Sequence, residues 1–329
     1  MFVGRRGRRR ILAQSGTALT LYIGMKKLLV LLALSGCVTP SVGKVGPAYP
    51  RAMIIPQPED QVSFQVDGRE WLRYHYGEQT AKPYFYPVMG PAGAPVTRLT
   101  HPHDPTSHNH HLSLWIGHEK IGGANFWGMN RNASRIVFDH IRKIDDGDRA
   151  SLAILGRWLD GDKKPLLLEE RIWTFSPRYD TIGSNGFGEY TLDLELKLTP
   201  VEPSITIGKS QFGFAAVRVA KMMGTADGGG TIRNSEGQVN EEELMPHRRA
   251  RWCDYSGRPA PDVVNGVTLL DHPSNPNHPT YFHVRRDGWM GSAFSFEGDV
   301  TVTKEKPLAL KYRFFVHAGP GDPRRLDEE

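Results

Sequence analysis

Short stretches of alternating apolar and polar residues recur along this chain of 329 residues, from residue 61 onward. The alternation is clear in residues 62–69, 112–116 and 151–155, and turn residues separate such stretches. A period of two gives a strand one apolar face, and many short strands with frequent turns are typical of sandwiches and barrels. The sequence therefore predicts an all-β fold, a large antiparallel β-sandwich with few short helices.

Two longer stretches, residues 169–175 and 190–196, predict neighbouring long strands of one large sheet. One face of this pair is apolar and the other carries charges. A charged sheet face suits either a concave surface that receives a polar ligand or a solvated outer face, and the sequence leaves both possibilities open.

The segment from Met25 to Cys37 has the layout of a bacterial lipoprotein signal peptide. Two lysines precede an apolar run that ends in Leu-Ser-Gly-Cys, and this run is too short for an ordinary membrane span. The ending resembles the bacterial lipobox, which implies that Cys37 is acylated. We expect a lipid-anchored protein of the bacterial cell envelope, in the periplasm or at the outer membrane. A twin-arginine signal at residues 8–12 and cleavage without lipidation are the alternatives.

The formal charge of +5 does not indicate a nucleic-acid partner, because the excess of basic residues lies at the N-terminus. The first 36 residues contain seven lysines and arginines and no acidic residue, which leaves 34 basic against 36 acidic residues in the rest. No basic patch remains that could follow a phosphate backbone. The expected contact with a membrane is through the lipid anchor alone.

These features divide the chain into four expected parts. They are an upstream segment with the signal peptide over 1–36, a lipidated and proline-rich tether over 37–60, one β-sandwich domain over 61–320 and a tail over 321–329. Apart from Cys37 the chain has one cysteine, Cys253, and we expect it to be a small buried residue.

Residues 101–118 hold six of the thirteen histidines. Imidazoles two residues apart share one face of a strand and can bind one metal ion. If residues 112–118 are a continuous strand, His110 and His118 lie on one face and His111 on the other. The metal hypothesis takes His108, His110 and His118 as ligands of Zn or Fe. The alternatives are proton transfer, because the free pKa of histidine is ~6.5, and plain filling of a loop and a strand.

Several segments together resemble a bacterial family described as methane oxygenase PmoA-like. They are residues 82–88, 110–118, 234–237, 252–257 and 271–280, and the likeness runs from about residue 60 to residue 318. The resemblance implies a β-rich fold, which we expect to be a supersandwich similar to the galactose-mutarotase-like proteins. Members of that group bind and process carbohydrates in a broad groove.

An acid–base site for a carbohydrate needs one group that takes a proton and one that gives a proton. The catalytic candidates are five histidines and one carboxylate that follows a glycine-rich turn: His110, His111, His118, His278, His283 and Glu236. The binding candidates are groups that can hold a carboxylate or hydroxyl, or stack on a sugar ring: Arg218, Arg248, Arg285, Trp115, Trp127, Asp271 and His272. Core packing is the alternative role of the aromatic residues.

The primary hypothesis is a membrane-anchored extracytoplasmic protein that acts on a carbohydrate or a related polyhydroxy compound. It would be a hydrolase, lyase or epimerase that uses histidine and glutamate and needs no cofactor. One alternative is a metal-dependent oxygenase or hydrolase with Zn or Fe at the 101–118 cluster. The other is a glycan-binding lipoprotein without catalytic activity.

Overall fold

Antiparallel sheets dominate the computed structural model, which describes residues 49–100, 108–129, 134–245 and 247–329. One sheet has nine strands. In spatial order they are β1 (Ala52–Gln57), β2 (Gln61–Val66), β3 (Arg69–His75), β4 (Tyr84–Val88), β5 (Leu114–His118), β11 (Gly213–Arg218), β17 (Trp289–Ala293), β16 (Thr280–Arg285) and β13 (Arg248–Ala250).

A second sheet has eight strands, and its members are longer. In spatial order they are β12 (Thr231–Asn234), β14 (Trp252–Ala260), β15 (Val263–Asp271), β19 (Leu308–Ala318), β9 (Tyr190–Pro200), β8 (Pro165–Pro177), β7 (Ala150–Leu159) and β6 (Arg135–Asp145). The two long strands expected from the alternation are β8 and β9, which pair with Trp173 opposite Leu194.

A small third sheet pairs β10 (Ser204–Ile207) with β18 (Val300–Thr303). Helices in the described part of the chain are short: α1 (Thr225–Gly228), α2 (Asn240–Leu244), α3 (Pro323–Leu326) and two 3-10 turns, Tyr179–Thr181 and Lys221–Met223. None of these is long and apolar enough to cross a membrane.

The two large sheets pack face to face around one apolar core. On β9, the even-numbered leucines from Leu192 to Leu198 are buried, while the charged residues between them face outward. Aromatic rings interlock across the interface: Phe85 of the first sheet meets Trp173 of the second, with ring centroids 5.0 Å apart. This arrangement confirms the predicted antiparallel β-sandwich, because alternation leaves each sheet with one apolar face that has to be covered.

The sandwich starts earlier and ends later than expected. Strand β1 lies inside the segment predicted to be a tether, and it pairs along its length with β2. At the other end, α3 lies in the predicted tail, and its Leu326 is buried against Trp252 and Phe315. The many prolines before residue 60 hid the short apolar alternation of β1. The expected signal peptide and Cys37 lie outside the described residues.

Candidate functional site

The outer face of the nine-stranded sheet, on the side away from the eight-stranded sheet, carries its own group of buried aromatic residues. Along β5, Leu114 and Ile116 belong to the core between the sheets, whereas Trp115 packs with Ala216, Trp289 and further residues in a separate cluster. Alternate residues of β5, β11 and β17 therefore point to opposite faces of the sheet, and those on the outer face form an aromatic floor.

A cavity of about 400 Å³ lies over this floor, and we call it the histidine–tryptophan cavity. Its walls come from the loops on either side of β5, from the residue before β11 and from β16 and β17. It is lined by His108, His110, His111, Glu119, Asn125, Trp127, Gly128, Phe212, His283, Arg285, Asp287 and Trp289.

The ring of Trp289 occupies space beside Gly291 of its own strand that a larger residue would fill. A Cβ atom at residue 291 would lie 2.5 Å from Cζ3 of Trp289, closer than real contacts allow. Trp289 in turn contacts Trp127, with ring centroids 5.6 Å apart, and His283, at 4.7 Å. A glycine in a buried strand thus fixes the position of a wall of the cavity.

The imidazoles of the cavity lie close to one another and to these rings. The ring centroids of His110 and His111 are 4.4 Å apart, and His108 lies within 5.8 Å of both. His111 stacks on Trp115 at 5.3 Å. The structure thus brings together the histidines that precede β5 and His283 of β16, which are far apart in the sequence.

Burial keeps the imidazoles of His110, His111 and His283 neutral at physiological pH. It lowers the pKa of His110 to about 4, and repulsion from Lys82 and His108 adds to the effect. Burial also lowers the pKa of His283 to about 3, and that of His111 lies well below its ordinary value for the same reason. A neutral imidazole keeps one nitrogen that can accept a proton or a hydrogen bond.

Lys82 fixes the loop that carries Trp127. The lysine is buried, its Nζ donates to the backbone carbonyl of Trp127, and burial lowers its pKa to about 7. On the other side of the loop, Asn125 Oδ1 accepts hydrogen bonds from the backbone N–H groups of Trp127 (2.8 Å) and Gly128 (2.9 Å). The backbone of Trp127 is therefore held at both its carbonyl and its N–H group.

Two arginines of the predicted set take different positions at the cavity. Arg218 is fully buried below it and forms a two-pronged ion pair with Asp287, with N–O distances of 2.9 and 3.2 Å. Arg285 lines the cavity itself and lies 3.5 Å from a carboxylate oxygen of Glu241. Arg218 thus positions Asp287, while Arg285 is placed to meet a ligand.

His118 lies on the other side of the sheet, so the expected metal set of His108, His110 and His118 is not brought together. Its ring packs between Phe214 and Phe294 in the core, its Nε2 lies 2.9 Å from Ser295 Oγ, and its Nδ1 accepts from the backbone of Lys120. The parity argument failed because Ser113 adopts a left-handed backbone conformation (φ 64°), which interrupts the alternation before β5 begins.

Three predicted residues lie at a second cavity instead. Asp271, His272 and His278 line a cavity of about 520 Å³ beside the outer face of the eight-stranded sheet. We call it the dyad cavity, after the pair of His278 and Asp271, in which Nδ1 of the imidazole lies 2.7 Å from the carboxylate. The histidine segments expected to converge on one groove thus serve two cavities, because β15 and β16, which flank this loop, belong to different sheets.

Glu236 and Arg248 line neither cavity. Glu236 lies on the exposed turn after β12 and accepts a hydrogen bond from its neighbour Ser235 (2.8 Å), while Arg248 is exposed on the edge strand β13. The glycine-rich turn that drew attention to Glu236 is an ordinary connection. The expectation of Glu236 as the site carboxylate has no geometric support.

The carboxylates that do line the histidine–tryptophan cavity, Glu119 and Asp287, escaped the sequence analysis, as did Asn125 and Phe212. Glu119 directly follows the last residue of β5, and Asp287 lies in the turn between β16 and β17. Both carboxylates lie next to the end of a strand that carries a candidate histidine, and this feature of the sequence could have identified them. Within the described ranges, no group of three or more His, Cys, Asp or Glu side chains has an arrangement that would hold a metal ion.

Comparisons with known proteins identify a family and give a weak likeness to solved structures. A solved structure described as "a putative mutarotase (YeaD) from Salmonella typhimurium" matches at 12% identity with a TM-score of 0.38, over 81% of this chain and 94% of that chain. A search of curated proteins gave no match. The resemblance of the motifs to the methane oxygenase PmoA-like family stays a prediction. The model of a family of unknown function (DUF6807) matches residues 61–329, and the chain belongs to this family.

Proposed function

We propose that the protein binds a carbohydrate or a related polyhydroxy compound in the histidine–tryptophan cavity and acts on it by proton transfer. The observation that carries this proposal is the wall of neutral imidazoles packed against tryptophan and phenylalanine rings. Apolar rings beside a few polar groups are the usual composition of a small-molecule site, and the volume of about 400 Å³ suits one small ligand.

The polar groups of the cavity match hydroxyl-bearing ligands. Glu119 supplies acceptor oxygens, Arg285 supplies donors, and each neutral imidazole can accept from one hydroxyl. Trp127 and Phe212, with ring centroids 5.6 Å apart, offer apolar surface for the C–H faces of a sugar ring.

Proton transfer needs two groups that act on the same ligand. A neutral His110 or His283 can take a proton from a substrate hydroxyl or C–H group, and a second group of the wall returns one at another atom. Ring opening with epimerisation, eliminative cleavage and hydrolysis all contain such a step. His111, stacked on Trp115, holds its neighbour His110 in place.

The test is turnover of a panel of monosaccharides, uronic acids and oligosaccharides, followed by proton NMR in H2O and in D2O. New products, faster exchange between anomers or loss of a C–H signal in D2O would each count as activity. Replacing His110 or His283 with phenylalanine should lower the rate by about a hundredfold or more, the usual scale of acid–base catalysis. His140, exposed on β6, is the matched control for His→Phe replacement.

Each outcome separates the competing hypotheses. Binding without turnover would support the glycan-binding alternative, and failure to bind any of these compounds would reject the carbohydrate proposal. Turnover that survives both replacements would place the chemistry elsewhere.

The metal-dependent alternative rests on the neighbouring rings of His108, His110 and His111, whose arrangement in this structure would not by itself hold a metal ion. It is tested by the metal content of protein purified without a histidine tag. A stoichiometric transition metal that is lost in a His108→Ala/His110→Ala variant would favour the alternative, and a metal-free, active protein would reject it.

The lipid anchor is a second part of the proposal and rests on the sequence around Cys37. Labelling with a fatty acid and fractionation of the cell envelope test it. The wild-type chain should carry lipid and follow the membranes, and a Cys37→Ala variant should do neither.

A further inference from the structure

The dyad cavity has the features of a second ligand site, on a different sheet from the histidine–tryptophan cavity. We propose that it binds a neutral polyhydroxy compound, such as a saccharide unit, through a hydrogen bond donated by His272 Nε2 and one accepted by His278 Nε2. The inference rests on this cavity alone and does not depend on turnover in the other one.

Asp271 holds the imidazole of His278 in one orientation. The carboxylate is buried and accepts from His278 Nδ1 (2.7 Å), from Asn275 Nδ2 (2.7 Å) and from the backbone N–H of Thr280 (3.1 Å). Because Nδ1 donates to the carboxylate, the neutral ring has its lone pair on Nε2. That nitrogen is an acceptor and has no partner in the described part of the chain.

Asn275 fastens the loop that carries this pair to the neighbouring strand β19. Its Nδ2 donates to the carbonyl of Lys311 (2.6 Å), and its Oδ1 accepts from the backbone N–H of Lys311 (2.7 Å). Asn275 itself is 5% exposed. The side chain of His278 is 19% exposed and lines the cavity, so a preorganised loop presents it to the cavity.

His272 supplies the complementary group. Its Nδ1 accepts a hydrogen bond from the backbone N–H of Ser274 (3.0 Å), which places the proton of the neutral ring on Nε2. This Nε2–H is a donor, and it has no partner among the described residues. A donor from His272 and an acceptor from His278 in one cavity match hydroxyl groups, which both donate and accept.

The charged side chains of the cavity already have partners, and Glu329, which also lines it, pairs with Arg178 and lies 4.0 Å from Arg313. Arg313 binds Asp193 through two hydrogen bonds (2.7 and 3.0 Å), and Lys311 Nζ lies 2.9 Å from a carboxylate oxygen of Glu195. Arg251 lies 3.0 Å from Asp327, which also accepts from Trp252 Nε1.

An ionic ligand would have to break one of these ion pairs. Hydroxyl groups can instead hydrogen-bond to the paired side chains without separating them. The pairing therefore favours a neutral ligand. The volume of about 520 Å³ leaves room for a ligand of one or two sugar rings.

The test uses glucose, galactose, maltose and cellobiose as probes, with glucuronate and glucosamine as charged counterparts. Binding is followed by long-range ¹H–¹⁵N NMR of the imidazole nitrogens, in the full chain carrying His110→Phe so that the histidine–tryptophan cavity is altered. At least one neutral probe should shift the Nε2 signals of both His272 and His278, and the charged counterparts should bind no more tightly.

Two independent replacements localise the effect. In His278→Asn the amide nitrogen takes the place of Nδ1 towards Asp271, and in His272→Asn the amide oxygen takes the place of Nδ1 towards Ser274. Both variants lack the Nε2 atom. Each should weaken binding about tenfold or more, the worth of one hydrogen bond in a ligand site, while His140→Asn should leave it unchanged.

Thermal melts monitored by circular dichroism show whether each variant is folded. Absence of any shift at His272 and His278 with all neutral probes would overturn the proposal. An affinity in both folded variants equal to that of the parent chain, or a clear preference for a charged probe, would overturn it as well. None of these results would bear on turnover in the histidine–tryptophan cavity.

Discussion

His111 lies flat on Trp115, with ring centroids 5.3 Å apart and ring planes 23° from parallel. Both side chains are buried, and Trp115 Nε1 has no hydrogen-bond partner in the described part of the chain. The stack links the wall of the histidine–tryptophan cavity to the sheet beneath it. The position of the imidazole therefore depends on packing in β5.

Replacing Trp115 with alanine should destabilise the protein by about 3–5 kcal/mol, the cost of removing a large buried aromatic side chain. Trp115→Phe should cost much less, because phenylalanine keeps an aromatic surface for His111 and removes a buried N–H without a partner. Urea denaturation of the two variants measures the difference. Equal losses in both would show that the aromatic stack contributes little.

Acid should destabilise the protein through its buried neutral histidines. Burial lowers the pKa of His118 to about 3 and that of His283 to about 3, so both stay neutral in the folded chain while the unfolded chain gains protons below about pH 6.5. The unfolded state then binds more protons, and the free energy of unfolding falls as the pH drops from 6.5 towards 4.

His118→Asn should reduce the slope of this loss by up to about 1.4 kcal/mol per pH unit, the value for one proton. The asparagine oxygen can still accept from the backbone of Lys120, which keeps the native contact. Urea denaturation across the pH range gives the slope, with His140→Asn as the exposed control. An unchanged slope in His118→Asn would mean that this histidine is protonated in the folded chain.

The buried pair of His317 and Asp254 should stabilise the protein more at low pH than at high pH, opposite to the effect of the buried neutral histidines. His317 Nε2 lies 2.8 Å from Asp254 Oδ1. Burial alone would lower the pKa of His317, but the carboxylate raises it above its ordinary value. The stabilisation is therefore complete below about pH 6.5 and is lost as the pH rises through the raised pKa.

His317→Gln should cost about 3–5 kcal/mol at low pH, because it leaves the Asp254 carboxylate buried without its cation. The difference from the wild type should shrink in alkaline solution. Chemical denaturation at acidic and alkaline pH tests this. A difference that stays constant with pH would contradict a charged pair.

Gly291→Ala should displace the ring of Trp289, since the added Cβ would lie 2.5 Å from Cζ3 of that ring. We expect a loss of about 1–3 kcal/mol, as for other overpacked sites, and weaker binding of any ligand of the histidine–tryptophan cavity. Gly298→Ala is the matched control, because a Cβ there has no neighbour within 4 Å. Melting temperatures and ligand titrations of both variants give the comparison.

The strands were predictable wherever one face of a strand is buried. In β9 each leucine alternates with an outward residue, so the period of two could be read directly and its partner β8 was also found. His110, His111, His283 and Trp127 were named as candidates from their residue types, and they do line one cavity. His118 was misplaced because the left-handed backbone at Ser113 is invisible in the hydrophobic pattern.

By itself, the sequence determined the fold class and the residue types available for chemistry, because alternation and side-chain identity are local properties. The tertiary structure decided which of these residues meet. Asp271 and Thr280 are nine residues apart but end and begin strands of different sheets. Their loop therefore serves the dyad cavity, while His283, three residues further on, faces the histidine–tryptophan cavity. Pairing between distant strands fixes such positions, and no short stretch of sequence encodes it.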